Sequence, residues 1–221
     1  MRRQAAAVLA LALSGLAALA PAGAARPVAA SDESGTLSVF FVGEKVGYEE
    51  YTWTEDASGY LLKASGRLTK PILLEMRSLT LRLNRDFIPL EYSFEGSLNG
   101  MDQKVTSAIK DGHVANTIVA GGQNISADVD VRRDALLLPN PIFSPYLILA
   151  KKYGCGLKDR VDVSTYMIPQ VEIAGTLQAS SPDGCTLTLN LSGVEIILQT
   201  DAERRLLSLE IPSQNLKVTK D

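Results

Sequence analysis

Apolar and polar residues alternate with a period of two through most of the chain beyond Gly35, which is the pattern of half-buried β-strands. Tyr51 and Trp53, for example, fall on one face of such a run, and Thr52 and Thr54 fall on the other. Short segments rich in glycine, proline, aspartate and asparagine separate the runs. The sequence therefore predicts a mainly β protein with roughly a dozen antiparallel strands.

Three dipeptides mark tight hairpin turns within residues 90–131: Asn99-Gly100, Asp111-Gly112 and Gly121-Gly122. Asn-Gly and Asp-Gly pairs between alternating runs favour type I′ turns, because both central residues of that turn need a positive φ. This part of the chain is predicted to be an antiparallel meander.

The apolar pattern changes phase in the middle of one long predicted strand. Leu74 and Met76 occupy even positions, whereas Leu79 and Leu81 occupy odd ones. Such a slip is accommodated by one extra residue in the strand, so we expect a β-bulge near Arg77-Ser78. Because bulges bend strands, we expect the sheet to curve into a half-barrel or open barrel.

One stretch interrupts the alternation: residues 136–155 read LLLPNPIFSPYLILAKKYGC. Pro139 and Pro141 have no N–H to donate to a ladder, so the chain cannot form a central strand here. Ser144-Pro145 matches the start of a helix, with serine as the N-cap and proline in the first turn. Gly154 matches its end, at the C′ position.

The predicted helix, residues 145–153, is apolar on nearly all sides. Tyr146 and Leu149 share one face, while Leu147 and Ile148 make the opposite side apolar as well. A helix of this kind is buried on more than one side. We therefore expect it to pack across the concave face of the sheet, either as a core-filling element or as a plug over an apolar cavity.

The two cysteines, Cys155 and Cys185, are predicted to form a disulfide, as cysteine pairs in exported proteins often do. The alternative is a pair of buried thiols. Cys185 shares the parity of Leu187 and Leu189, so it is predicted to face the same side as that apolar row. A bridge would pin the end of the helix to the sheet.

The N-terminus has the features of a cleaved secretory signal. Arg2 and Arg3 precede an apolar run of about 16 residues, shorter than a membrane-spanning helix, and small-residue cleavage signals follow. We assign residues 1–30 to this signal and residues 31–221 to a single β-rich domain without a transmembrane span. No cysteine lies near the cleavage region, so the protein is predicted to be periplasmic or secreted and not lipid-anchored.

The formal charge of −3 and the aromatic content of 6% limit the classes of partner that the protein is expected to bind. Nucleic-acid-binding surfaces need basic stripes, and anionic membranes attract clusters of lysine and arginine. We expect neither nucleic acid nor an anionic membrane surface as a partner.

Residues that could carry catalysis are few. His113 is the only histidine and follows a predicted turn, where a solvated side chain is usual, and the sequence lacks a Gly-x-Ser-x-Gly elbow. One histidine and two cysteines supply a zinc site poorly. The sequence therefore predicts a non-enzymatic protein with no metal or other cofactor.

Neighbouring carboxylates do not change this interpretation. Asp128 and Asp130 alternate with apolar residues, as on the wet face of a strand, and Asp134 completes no calcium-loop motif. Glu49 and Glu50 are adjacent in a predicted strand, so their side chains point to opposite faces and cannot act as a catalytic pair.

The opening FFVGEKVGYEEYTW, followed by GYLLKASG, and the ending VEIILQTDAERRLLSLEIPSQNLKV are similar to segments of exported bacterial β-rich proteins of unassigned function. The layout of a curved antiparallel sheet with a helix in its concavity resembles the half-barrel of the periplasmic lipoprotein carriers of the Lol type. This resemblance implies an apolar cavity that takes acyl chains.

Together these features predict a binding protein for an apolar or lipid-like ligand, held between the curved sheet and the helix. The residues predicted to line the site are Trp53, Leu81, Tyr92, Phe94, Phe143, Tyr146, Leu149 and Tyr153. The alternative is a structural or interaction module that acts as an accessory partner of a cell-envelope enzyme or complex, with edge strands available for pairing.

Overall fold

The computed structural model describes residues 31–169 and 171–221, and the predicted signal, residues 1–30, lies outside them. The described residues form one sheet of fifteen strands and one α-helix. The strands are β1 (Ser31–Phe41), β2 (Glu44–Asp56), β3 (Gly59–Leu68), β4 (Leu74–Leu83), β5 (Pro89–Leu98), β6 (Met101–Lys110), β7 (His113–Ala120), β8 (Gln123–Asp130), β9 (Leu136–Leu137), β10 (Val161–Met167), β11 (Val171–Ala179), β12 (Thr186–Leu191), β13 (Val194–Thr200), β14 (Leu206–Ile211) and β15 (Leu216–Lys220), and the helix is α1 (Leu147–Tyr153).

The sheet consists of two antiparallel meanders joined at the chain ends. Strands β1 to β8 pair in order on one side and β10 to β15 on the other, and β1 pairs with β15, so that Val39 lies opposite Val218. The two-residue β9 pairs in parallel with β10. The two edge strands, β8 and β9, are consecutive in the chain. The sheet therefore curves so that its two edges approach each other, but the edges do not pair.

The predicted hairpin turns are confirmed. The φ angles of Asn99 and Gly100 are 51° and 79°, and those of Asp111 and Gly112 are 54° and 88°. Gly121 and its neighbour also have positive φ angles. Two successive residues with positive φ define the type I′ turn, whose twist matches that of the flanking strands.

The predicted bulge is also confirmed. Met76 of β4 lies opposite Gly96 of β5, and Ser78 lies opposite Glu95, so Arg77 is the extra residue. The phase change in the apolar pattern is therefore the sequence record of this bulge, which keeps apolar residues on the inner face on both sides of it.

The sequence underestimated the number of strands, because β9 and β15 were not predicted. Strand β9 has only two residues, too few for an alternating pattern. Strand β15 follows a 3₁₀ turn, Pro212–Gln214, and Asn215 in the left-handed conformation at φ 51°. This connection has no glycine, so it lacks the usual signal of a hairpin.

Helix α1 lies on the inner, concave face of the sheet, as predicted. Its first four residues, from Leu147 to Ala150, have no solvent exposure. A short helix that is apolar on all sides is stable in this position because its residues belong to the buried core of the sheet.

The ends of the helix differ from the prediction. A 3₁₀ turn, Ser144–Tyr146, precedes α1, and the Ser144 side chain caps nothing: its buried Oγ has no hydrogen-bond partner. Gly154 is the C-cap at φ −54°, not a left-handed residue. It must be glycine for another reason, since a Cβ there would lie 2.5 Å from the carbonyl oxygen of Ala150.

Cys155 and Cys185 form a disulfide, so the predicted pairing is confirmed. The bridge joins the residue after Gly154 to the residue before β12. The C-terminal end of the helix is therefore tied covalently to the sheet. Among the described residues, no helix is long and apolar enough to cross a membrane.

Candidate functional site

The segment from Pro139 to the helix end is held to the sheet at three points, and these points define the candidate site. A buried carboxylate holds its beginning, an ion-pair cluster holds the side of the helix, and the disulfide holds its end.

Glu49 of β2 is the buried carboxylate, with 1% of its surface exposed. Its Oε1 accepts the backbone N–H of Phe143 at 2.8 Å, and its Oε2 accepts that of Ser144 at 2.7 Å. Burial raises the pKa of Glu49, and the two N–H donors offset this only in part. Glu50 points outward and is exposed, so the prediction that the two side chains diverge is confirmed.

The ion-pair cluster is centred on Glu33 of β1. Its Oε1 accepts hydrogen bonds from Lys220 Nζ at 2.8 Å and from the Tyr51 hydroxyl at 2.9 Å, and its Oε2 accepts one from Lys151 Nζ of the helix. Burial alone would raise the pKa of Glu33, but the two lysines outweigh it and lower the pKa. The cluster thus joins α1 to β1, β2 and β15.

A cavity of about 170 Å³ lies beside the start of the helix. It separates the proline-rich segment from β1, β3 and β15. Its apolar lining comes from Val39, Leu68, Ile72, Ile142, Phe143, Tyr146, Ile211 and Leu216. Three exposed polar residues border it, namely Lys70, Asn140 and Gln214.

Glu49 is coupled to this cavity through the backbone. The N–H of Phe143 that bonds to Glu49 belongs to a residue whose side chain lines the cavity. Tyr146, one turn further on, also lines it, and burial raises the pKa of its hydroxyl to about 12. The position of this wall therefore depends on a carboxylate that solvent does not reach.

A second depression, of about 240 Å³, lies at the opposite end of β1, beside the ion-pair cluster. Trp53, Tyr60 and Phe87 pack together in its wall, with the rings of Tyr60 and Phe87 stacked 4.3 Å apart. Glu33 and Lys151 also border it. It is shallow and polar at its rim, in contrast to the apolar cavity.

The residues predicted to line a ligand site belong to one continuous core but not to one cavity. Of the eight, seven are buried and Tyr153 is half-buried. Phe143 and Tyr146 line the apolar cavity, and Trp53 lines the second depression. Leu81, Tyr92, Phe94 and Leu149 are buried in the core. Ligand contact by these residues stays a prediction.

Sequence reasoning missed the sheet side of the cavity. Val39, Leu68 and Leu216 come from three strands, and their meeting depends on the pairing of β1 with the unpredicted β15. It also missed Glu49, although a signal existed: Glu49 has the parity of Tyr51 and Trp53, which places a carboxylate on the apolar face.

A second buried polar group joins the two ends of the sheet. Asn116 of β7 accepts a hydrogen bond from Ser107 Oγ at 2.7 Å and donates one to the Tyr166 hydroxyl of β10 at 2.8 Å. All three residues are almost completely buried. These bonds hold the meanders together where no backbone ladder does.

His113 lies on the surface, where its Nδ1 is 2.8 Å from Asp130 Oδ1. The hydrogen bond to Asp130 raises the pKa of His113. Neither residue borders the apolar cavity. Within residues 31–169 and 171–221, no group of three or more histidine, cysteine, aspartate or glutamate side chains is arranged to hold a metal ion.

Fold and site together define an open, curved β-sheet protein with an internal helix. No family model and no curated protein matches the chain. Among solved structures, it is similar to the crystal structure of a DUF1089 family protein from Pseudomonas aeruginosa, with a TM-score of 0.54 and 12% sequence identity. The match covers 77% of this chain and 91% of the other. It shows a shared all-β sheet layout, and the likeness to the Lol carriers stays a prediction.

Proposed function

We propose that the protein is an exported, non-enzymatic binding protein that takes the apolar chain of an amphiphile between the sheet and the helix segment. The observation that carries the proposal is the apolar cavity beside Phe143 and Tyr146. Core packing alone leaves few voids larger than a water molecule, so a cavity of about 170 Å³ bordered by solvent-exposed polar residues is unlike an ordinary interior.

The size of the cavity limits what it can take. Pockets for whole small molecules usually enclose about 300–1,000 Å³. The cavity here, of about 170 Å³, suits the end of an alkyl chain and not an entire lipid. The polar part of such a ligand would stay outside, near Lys70 and Gln214, where both side chains are exposed.

Export is part of this proposal. The disulfide between Cys155 and Cys185 is compatible with an oxidising compartment, and residues 1–30 have the predicted features of a secretory signal. A carrier or sensor of lipid-like molecules in the cell envelope would need such a signal, and the disulfide would form in that compartment.

The test is the binding of a fluorescent fatty acid to the purified, delipidated protein. We expect saturable binding that is lost in Val39→Phe, because the larger ring would fill the cavity from the sheet side. Val46→Phe is the matched control, since Val46 is as buried but does not border the cavity. Absence of binding by the parent protein, or equal binding by both variants, would refute the proposal.

An interaction module is the second candidate function, and the packing of the helix favours it. The residues from Leu147 to Ala150 are fully buried, and none of them lines the apolar cavity or the second depression. A protein that binds no fatty acid but retains a protein from the envelope fraction in a pull-down would support this candidate instead.

A further inference from the structure

The two edges of the sheet are unequal. One edge ends in β9, which has only two residues, and the other is the eight-residue β8, from Gln123 to Asp130. In the described part of the chain, no backbone hydrogen bond reaches the outer side of β8. Strand edges of this length are templates for the addition of another strand.

The register shows which backbone groups of β8 are available. Gln123 lies opposite Ala120 across the two-residue turn, so this pair and every second pair after it exchange hydrogen bonds with β7. The N–H and C=O groups of Asn124, Ser126 and Asp128 consequently point away from β7. They offer an added strand a regular series of donors and acceptors.

An apolar row on the inner face runs out to this edge. Phe94, Val105, Ile118 and Ile125 lie directly opposite one another on β5, β6, β7 and β8. Phe94 and Val105 are 7% and 8% exposed, Ile118 is half-buried, and Ile125 is 48% exposed. A further strand with an apolar residue beside Ile125 would continue the row and cover it.

The outer face of the same edge is acidic. Asp128 and Asp130 project there, two residues apart, and the Asp130 side chain is 90% exposed. Asp130 is paired with His113, and no ion pair to Asp128 is found within the described residues. An added strand whose outward residues are basic would place its charges beside these carboxylates.

We propose that the edge of β8 binds an extended segment of another protein in which basic and apolar residues alternate, as an additional strand of the sheet. This inference rests on the second candidate function, the interaction module, and is independent of the apolar cavity, which β8 does not border. The same aspartates disfavour a second copy of this chain, because acidic side chains on an edge keep identical edges apart.

The experiment measures the fluorescence anisotropy of a labelled peptide of alternating lysine and valine, titrated with the protein. Ser126→Pro removes an outward N–H while sparing the bonds to β7, and proline is tolerated at such edge positions. We expect Ser126→Pro to weaken binding by about tenfold or more, as the loss of a hydrogen bond and the ring clash require. Ser126→Ala, which keeps the N–H, is the matched control and should bind like the parent.

Two further comparisons identify the mode of binding. The double variant Asp128→Asn, Asp130→Asn should bind the peptide more weakly and with less dependence on salt. A peptide in which every backbone nitrogen is methylated should not bind, because neither of its edges can donate to β8. A peptide of alternating glutamate and valine should also fail to bind.

The proposal is overturned if the methylated peptide binds as well as the parent peptide, or if Ser126→Pro, with an unchanged circular dichroism spectrum, binds it normally. It is also overturned if the protein self-associates through this edge, seen as a dimer in sedimentation that Ser126→Pro abolishes. Should Ser126→Pro fail to fold, the methylated peptide still decides the question with the parent protein. Fatty-acid binding by the same samples reports separately on the apolar cavity.

Discussion

Glu49 and Ser144, which are 95 residues apart in the chain, are joined by a hydrogen bond of 2.7 Å from the Ser144 backbone N–H to a carboxylate oxygen that solvent does not reach. The bond satisfies a free backbone N–H at the start of the helical segment, as an N-cap side chain does in most helices, but the acceptor comes from a neighbouring strand. The entrance of the helix is thus fixed by tertiary structure and not by its own sequence.

Replacing Glu49 with alanine should destabilise the protein by about 2–4 kcal/mol, because two buried backbone donors lose their only acceptor. Urea-induced unfolding measures the effect. Glu50→Ala is the matched control, and its exposed side chain should change stability by less than about 0.5 kcal/mol. Equal effects of the two substitutions would mean that Glu49 does not hold the helix entrance.

The pH dependence of stability should differ in sign between Glu49 and Glu33. The pKa of Glu49 is raised in the folded state above its ordinary value of 4.5, so its contribution is greatest below that pH and is lost as the pH rises through the folded pKa. The pKa of Glu33 is lowered, so its contribution is present above pH 4.5 and is lost as the pH falls through the folded pKa.

Glutamine variants test this difference. Relative to Glu49→Gln, the parent protein should lose stability as the pH rises above about 4.5, because the unfolded carboxyl ionises near 4.5 and the folded one only at higher pH. Relative to Glu33→Gln, the parent should gain stability as the pH rises toward about 4.5 from below, and the difference should stay constant above that pH. Unfolding free energies measured in urea at several pH values check both, and parallel curves for the two pairs would contradict the assignment.

Features that depend on neighbouring residues in the chain could be predicted from the sequence, and features that depend on distant residues could not. The turn at Asn99-Gly100 and the bulge at Arg77 were predictable because each depends on residues within one short segment. The cap by Ser144 was predicted wrongly: its side chain caps nothing, and the N–H groups of Phe143 and Ser144 bond instead to Glu49 of another element. The apolar cavity was only half-predicted, because its sheet side depends on β15, whose connection carries no glycine signal.

The pair of Glu33 and Lys151 should show a favourable coupling of about 1–2 kcal/mol in a double-mutant cycle with Glu33→Gln and Lys151→Met. Both side chains are less than 20% exposed and form charge-assisted hydrogen bonds that solvent screens little. The exposed pair of Glu44 and Lys70, with side chains 65% and 55% exposed, is the control. Its coupling should stay below about 0.5 kcal/mol. Similar couplings for the two pairs would show that the Glu33 cluster is not shielded.

Loss of the disulfide should lower the free energy of unfolding of the protein but leave its proposed affinity for a fatty acid nearly unchanged. The bridge joins residues that are 30 positions apart in the chain. The free energy of unfolding of the variant Cys155→Ser, Cys185→Ser should therefore be lower by about 3–4 kcal/mol. Glu49 still holds the other end of the segment, beside the cavity, so a fatty acid should bind the folded variant with similar affinity. Reduction of the parent protein should reproduce the change in urea unfolding. A reduced protein that unfolds at the same urea concentration as the parent would show that the bridge adds no stability. A folded variant that no longer binds the fatty acid would show that the wall of the cavity depends on both ends of the helix.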